Sequence, residues 1–226
     1  MNKNDTEIAF VLDRSGSMQS CREATIDGFN YFLREQQALG GLAKLTLVLF
    51  DDEYLVPFRS LPVPEILPFD RETYVPRGST ALLDAIGQTI DDLGARLAAL
   101  DETARPAQVI VAILTDGLEN ASTKFTWKQV SQRIKQQTAH YQWTFLFLGG
   151  NQDAIATAGQ LSIAARNAAT YAADDAGLRS LSPSLSRKVR SLRQMERGSA
   201  TLHEQQDAAA PMSDLVEEED RKERGK

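Results

Sequence analysis

Apolar runs along this chain alternate with stripes at helical spacing. Five apolar residues, Ile8 to Leu12, stop abruptly at Asp13. A run of that length closed by a turn signal reads as a buried strand, here over about 7–12. A helix is predicted over 21–39, with Ile26, Phe29, Tyr31, Phe32 and Leu33 on its apolar face and Gly40-Gly41 as its stop. Lys44 to Phe50 is a second strand, and after the Asp51-Asp52 turn Tyr54 to Ser60 returns as a third. So short a return predicts an antiparallel hairpin at the sheet edge. Pro62, Pro64 and Pro68 then force an irregular connection. Leu82, Ile86, Ile90, Leu93 and Leu97 mark a helix over 81–100. Gln108 to Leu114 is the most apolar strand and is expected at the sheet centre. A helix over 127–137, a strand over 143–148, a short helix over 153–160 and a weak edge strand over 168–173 complete the series. This alternation predicts an α/β fold: a doubly wound, mostly parallel sheet of about six strands, flanked by helices, with one short antiparallel edge strand.

The character changes at Asp175. Leu178, Leu181, Leu185, Val189 and Leu192 form one apolar stripe, bordered by Arg179, Arg187, Lys188, Arg190 and Arg193. The stripe predicts an amphipathic helix over 175–197. Such a helix could cover its own domain, dock a partner or lie on a membrane, and the lack of bulky aromatics speaks against the last. Beyond Gly198 the chain is polar and dense in charge. It is expected to be a tail disordered in isolation or a mixed-charge helix tip. The organisation read from sequence is therefore a domain over 1–174, a helical extension over 175–197 and a charged tail over 198–226.

Composition narrows the function classes. A chain of 226 residues is long enough for one good core. Its net charge of −6 and pI near 5.1 argue against nucleic acid and anionic membranes as partners. The first residues lack the pattern of a secretory signal, and no apolar run approaches the roughly 20 residues that span a bilayer. A single cysteine, Cys21, makes no internal disulfide. Together these point to a reduced, cytoplasmic setting. His140 and His203 lie in no context that would activate them.

Candidate chemistry gathers at predicted strand ends, where open α/β sheets bind ligands. Asp13, Ser15 and Ser17 follow the first strand, Gly78-Ser79-Thr80 opens the 81–100 helix, and Thr115-Asp116-Gly117 follows the central strand. Taken singly, Thr80 is a helix cap and Asp116 a turn residue. Taken together they are a set of hard oxygen donors, of the kind that suits Mg²⁺, Ca²⁺ or Mn²⁺.

These three motifs, in this order, resemble the von Willebrand factor A domain, the fold shared with integrin inserted domains. The resemblance covers roughly residues 5–172. It implies a metal-ion-dependent adhesion site built from Asp13, Ser15, Ser17, Thr80 and Asp116. It implies Mg²⁺, or Mn²⁺ or Ca²⁺, with one coordination position left for a carboxylate of a partner protein. That makes the chain a docking module and not an enzyme. The acidic composition without a signal sequence resembles stand-alone bacterial members, whose partners include AAA+ ATPases and other products of neighbouring genes. Two alternatives stay open: an ion that only staples the loops, with partner binding elsewhere, and a metal-dependent phosphohydrolase acting at Asp13. Against the hydrolase, Ser15 occupies the place where a phosphoaspartate enzyme of the haloacid dehalogenase type carries a second acid. No Gly-x-Gly-x-x-Gly or Walker-type run supports a nucleotide site. Around the rim, Arg14, Met18, Arg77, Glu119 and Asn120 are candidates for partner contact, with Asn151 and Gln152 as weaker ones.

Overall fold

The computed structural model describes residues 2–150 and 153–225. Asn151 and Gln152 lie outside them. Six strands form one sheet in the order β3-β2-β1-β4-β5-β6. They are β1 (Asn2–Asp13), β2 (Leu42–Phe50), β3 (Tyr54–Pro62), β4 (Pro106–Thr115), β5 (Thr144–Gly150) and β6 (Ala168–Tyr171). All neighbours run parallel except β2 and β3. The antiparallel edge strand is therefore where the short return after Asp51-Asp52 predicts it. It is nine residues long, carries Pro57 at its middle, and pairs with β2 through two register shifts.

The helices are α1 (Arg22–Ala38), α2 (Leu82–Ala98), α3 (Trp127–Tyr141), α4 (Ala154–Gln160), α5 (Asp175–Glu196), α6 (Leu202–Ala209) and α7 (Met212–Glu223). Strand periodicity divides the core in two. Ile8, Phe10 and Leu12 of β1 pack with Ile110, Ala112 and Leu114 of β4 against α1, α5 and α7. Ala9 and Val11 pack with Val109, Val111 and Ile113 against α2, α3 and α4. β1 and β4 are buried on both sides, which is why they read as continuous apolar runs.

The amphipathic helix expected over 175–197 forms as α5 and covers its own domain. The apolar stripe of α5 (Leu178, Leu181, Leu185, Val189) belongs to the α1-side core, so no domain boundary falls at 174. The tail over 198–226, expected to be disordered in isolation or a mixed-charge helix tip, is helical as α6 and α7. Three apolar residues at one-face spacing, Met212, Leu215 and Val216, are buried, and Glu204 and Asp207 are buried with them. Arg187 of α5 bridges Asp207 of α6 and Glu219 of α7, at 2.8 and 2.6 Å. Lys188, 2% exposed, donates to the carbonyls of Asp207, Ala208 and Ala210 at the end of α6. These are the orphan carbonyls of a helix C-terminus, and a cation there also complements the helix dipole. On the other side, Arg193 donates to Gln36 and to the Gly40 carbonyl, holding α5 to the end of α1. Among the described residues, no helix is long and apolar enough to cross a membrane.

Candidate metal centre

The strand order reverses between β1 and β4, and the loops leaving their carboxyl ends diverge there to open a crevice. Asp13 is the last residue of β1 and Asp116 directly follows β4. The second loop reaches the crevice by backbone pairing. Gly16 N–H donates to the Gly78 carbonyl at 3.1 Å, and Arg77 N–H to that of Arg14 at 2.8 Å. Gly78 has φ +66°, and a β-carbon there would collide with the Asp52 carboxylate, so only glycine serves. Thr80 is tied to the third loop. Its N–H donates to Asn120 Oδ1 at 2.9 Å, and its carbonyl accepts from the N–H groups of Asn120 and Ala121.

The five predicted ligands meet. Ser15 and Ser17 share a hydroxyl hydrogen bond of 3.0 Å, and Ser17 Oγ donates to Asp116 Oδ1 at 2.5 Å. A β-carbon on Gly117 would stand 2.7 Å from Thr80 Oγ1 and 3.5 Å from Asp13 Oδ2, which places those two oxygens beside the same glycine. Asp13 is fully buried and held on both carboxylate oxygens. Ser15 N–H donates to one at 2.6 Å and Thr115 Oγ1 to the other at 2.5 Å. Tyr74 Oη donates to its backbone carbonyl at 2.6 Å. Burial raises the Asp13 carboxyl to about 6, against the lowering effect of those hydrogen bonds. Burial likewise raises Asp116. The buried Asp13 and the partly buried Asp116, set beside three hydroxyls, fit a small hard cation, which would satisfy the Asp13 charge that water does not reach. Among the described residues no group of three or more His, Cys, Asp or Glu is placed to hold a metal ion, so hydroxyl oxygens are needed to complete any site here.

The rim candidates fare differently. Met18 is wholly buried in the α1-side core and is not a contact residue. Arg14 is buried too, with its guanidinium 3.0 Å from Asp51 and 3.3 Å from Glu53. Its place between Asp13 and Ser15 gave no warning of that inward turn. Arg77 is half-exposed but ion-paired to the same two acids. The Glu119 carboxylate accepts from the N–H groups of Leu83, Ala121 and Ser122 and from Ser122 Oγ, which pins the third loop to the start of α2. Asn120 is exposed, with its side chain on Thr80 N–H. Sequence reading missed Tyr74 and Asp51, and took Thr115 only as the first residue of the Thr-Asp-Gly motif. Leu118, 68% exposed beside Asp116, is the largest apolar side chain on the third loop open to solvent. A cavity of about 480 Å³ lies at the opposite, amino-terminal end of β4 and β5, lined by Leu97, Val109, His140 and Trp143, and contains none of the site residues.

A doubly wound sheet carrying an Asp-x-Ser-x-Ser loop, a threonine and an aspartate at its switch point defines a class of metal-site α/β domains. The von Willebrand factor type A family model matches residues 6–162, and the chain belongs to that family. No curated protein sequence matches it. Solved structures that it is similar to include proximal thread matrix protein 1 of the mussel byssus with a zinc-occupied adhesion motif. There the TM-score is 0.53 at 16% identity, covering 84% of this chain and 47% of that one. Another is the pilus adhesin SpaC of Lactobacillus rhamnosus GG, with TM-score 0.61, 13% identity and 85% and 31% coverage. A third is a D319A mutant of the PilB minor pilin of Streptococcus sanguinis, with TM-score 0.58, 10% identity and 87% and 64% coverage. The chain thus spans less than two thirds of the length of each. At these identities the likeness is one of fold.

Proposed function

We propose that this chain is a metal-dependent protein-interaction module, in which Asp13, Ser15, Ser17, Thr80 and Asp116 hold a divalent cation that bridges to a carboxylate of a partner protein. The observation that carries this reading is the hydroxyl chain from Ser15 through Ser17 to Asp116, set beside Thr80 and the buried Asp13. When bound, the ion supplies a Lewis-acidic position to which an outside oxygen can bind. The residues supply the rest. Asp13 and Asp116 balance the charge of the ion, while the three neutral hydroxyls keep the site from repelling an anion. Thr115, Tyr74 and Asn120 hold Asp13 and Thr80 in place. Hard oxygens without sulfur or imidazole favour Mg²⁺, with Mn²⁺ or Ca²⁺ as substitutes. The zinc-occupied motif of the byssus protein supports a divalent ion at the equivalent place. A cytoplasmic machine such as an AAA+ ATPase is the kind of partner we favour, given the acidic composition and the lone buried thiol.

The test is affinity purification with the wild-type chain in Mg²⁺ and in EDTA, and with Asp13→Ala. Proteins retained in Mg²⁺ and lost under both other conditions are the expected result. Retention that survives both overturns the bridge. A large fall in melting temperature on chelation with an unchanged set of retained proteins points instead to an ion that only staples the loops.

A further inference from the structure

Asp51 lies outside the five proposed ligands, yet side chains of the first two site loops, already paired through their backbones, converge on its carboxylate. Its side chain is fully buried at the carboxyl end of β2. Oδ2 lies 3.0 Å from Arg14 of the first loop and 2.9 Å from Arg77 of the second. Oδ1 accepts from Glu53 N–H at 2.6 Å, which fixes the carboxylate plane. Its backbone carbonyl accepts from Ala81 N–H, next to Thr80, at 2.9 Å, and the Phe50 carbonyl accepts from Arg14 N–H at 2.8 Å. Glu53 closes the ring by pairing with both arginines. Arg14 lies between Asp13 and Ser15, and Arg77 three residues before Thr80.

We propose that Asp51 is the positioning residue of the metal site: through Arg14 and Arg77 it sets the separation between the Ser15-Ser17 loop and Thr80, and with it the affinity for a small divalent cation. The inference rests on the metal-site reading above. The physical reason is that Ser15, Ser17 and Thr80 are short side chains with little reach. Backbone placement of the two loops decides whether their hydroxyls converge at the roughly 2.0–2.1 Å that Mg²⁺ demands. Asp51 Oδ2 holds one nitrogen of each guanidinium, and the Arg77 fork spans Asp51 and Glu53 with Nε on one and a terminal nitrogen on the other, which restrains the distance between the two loops. Asp51 also keeps both positive charges on its own side of the loops, so that neither opposes a cation at the site.

The experiment is calorimetric titration of Mg²⁺ and Mn²⁺ into wild type, Asp51→Asn, Arg77→Gln and Glu7→Gln, with a metal-free melt of each. Glu7 is the control for a merely structural role. It is 2% exposed and paired with Arg96, Thr46 and Ser60. It lies six residues before Asp13 on β1, roughly 20 Å away at about 3.3 Å per strand residue. Asp51→Asn is expected to weaken Mg²⁺ binding by about 10–100-fold, the usual cost of losing a group that orients metal ligands. Mn²⁺, which dehydrates more readily, is expected to lose less. Glu7→Gln is expected to lower the melting temperature and leave both affinities unchanged. Arg77 is half-exposed, so Arg77→Gln carries the same test if Asp51→Asn does not fold, with a smaller loss of affinity expected. Affinities in Asp51→Asn or Arg77→Gln equal to wild type overturn the proposal and leave the metal reading standing. Absence of cation binding by the wild type overturns both.

Discussion

At the scale of single residues, Asp13 shows what was and was not readable. Its place after a buried apolar run marks it as a rim carboxylate, and Ser15, Ser17, Thr80 and Asp116 are readable for the same reason: each follows a strand or opens a helix. The groups that condition it are not readable. Tyr74 lies 61 residues away and Thr115 lies 102 away, and only the folded sheet brings them to it. The raised Asp13 carboxyl has a definite consequence. Between about 4 and about 6 the metal-free folded chain binds more protons than the unfolded one. Its stability therefore falls as pH rises through that window and levels off above it. Asp13→Asn removes this dependence. In EDTA the variant should gain on wild type across that window, reaching on the order of 2–3 kcal/mol by neutral pH, as read by denaturant melts. The same variant should no longer bind a divalent cation. In wild type, cation affinity should decline as pH drops below about 6, where protons compete for the carboxylate.

At the scale of elements, most strands and helices were legible, down to the short α4 and β6, while helix ends and the charged tail were read less sharply. α2 falls within one or two residues of its predicted ends because five apolar residues recur on one face. α3 runs four residues beyond its expected end at 137, to Tyr141, because its last turn carries no apolar signal and its stop is unusual. It ends at Gln142 in the left-handed region, φ 56°, ψ 29°, where glycine is the ordinary choice. Gln142→Gly should therefore stabilise the chain by roughly 0.5–1 kcal/mol, a melting rise of about 1–4 °C. An unchanged or lower melting temperature would show that the Gln142 side chain contributes more than its backbone costs. α7 was undecided between a disordered tail and a mixed-charge helix tip for a different reason. Its apolar content is three residues, and its stability lies in partners that periodicity does not reveal, such as Arg187 on Glu219.

At the scale of the whole molecule, the C-terminal helices are part of the fold rather than an appendage. α7 packs against α5 and β6, and Met212, Leu215 and Val216 contribute to the core or pack beside it. Burying three such side chains is worth roughly 4–9 kcal/mol as an upper figure, a large share of a typical domain's 5–15 kcal/mol. A chain ending at Gly198 should thus melt at markedly lower temperature and associate on gel filtration. An undiminished melting temperature would show the helices to be dispensable. The edge strand β3 bears on a different matter. A nine-residue strand with one side unpaired is a template on which other chains can add. Pro57 offers no N–H at its middle and the register shifts bend it, while at the other edge β6 is only four residues long and lies against α4 and α7. Both margins of the sheet thereby resist strand addition, which disfavours ribbon-like association of one copy of the chain with the next.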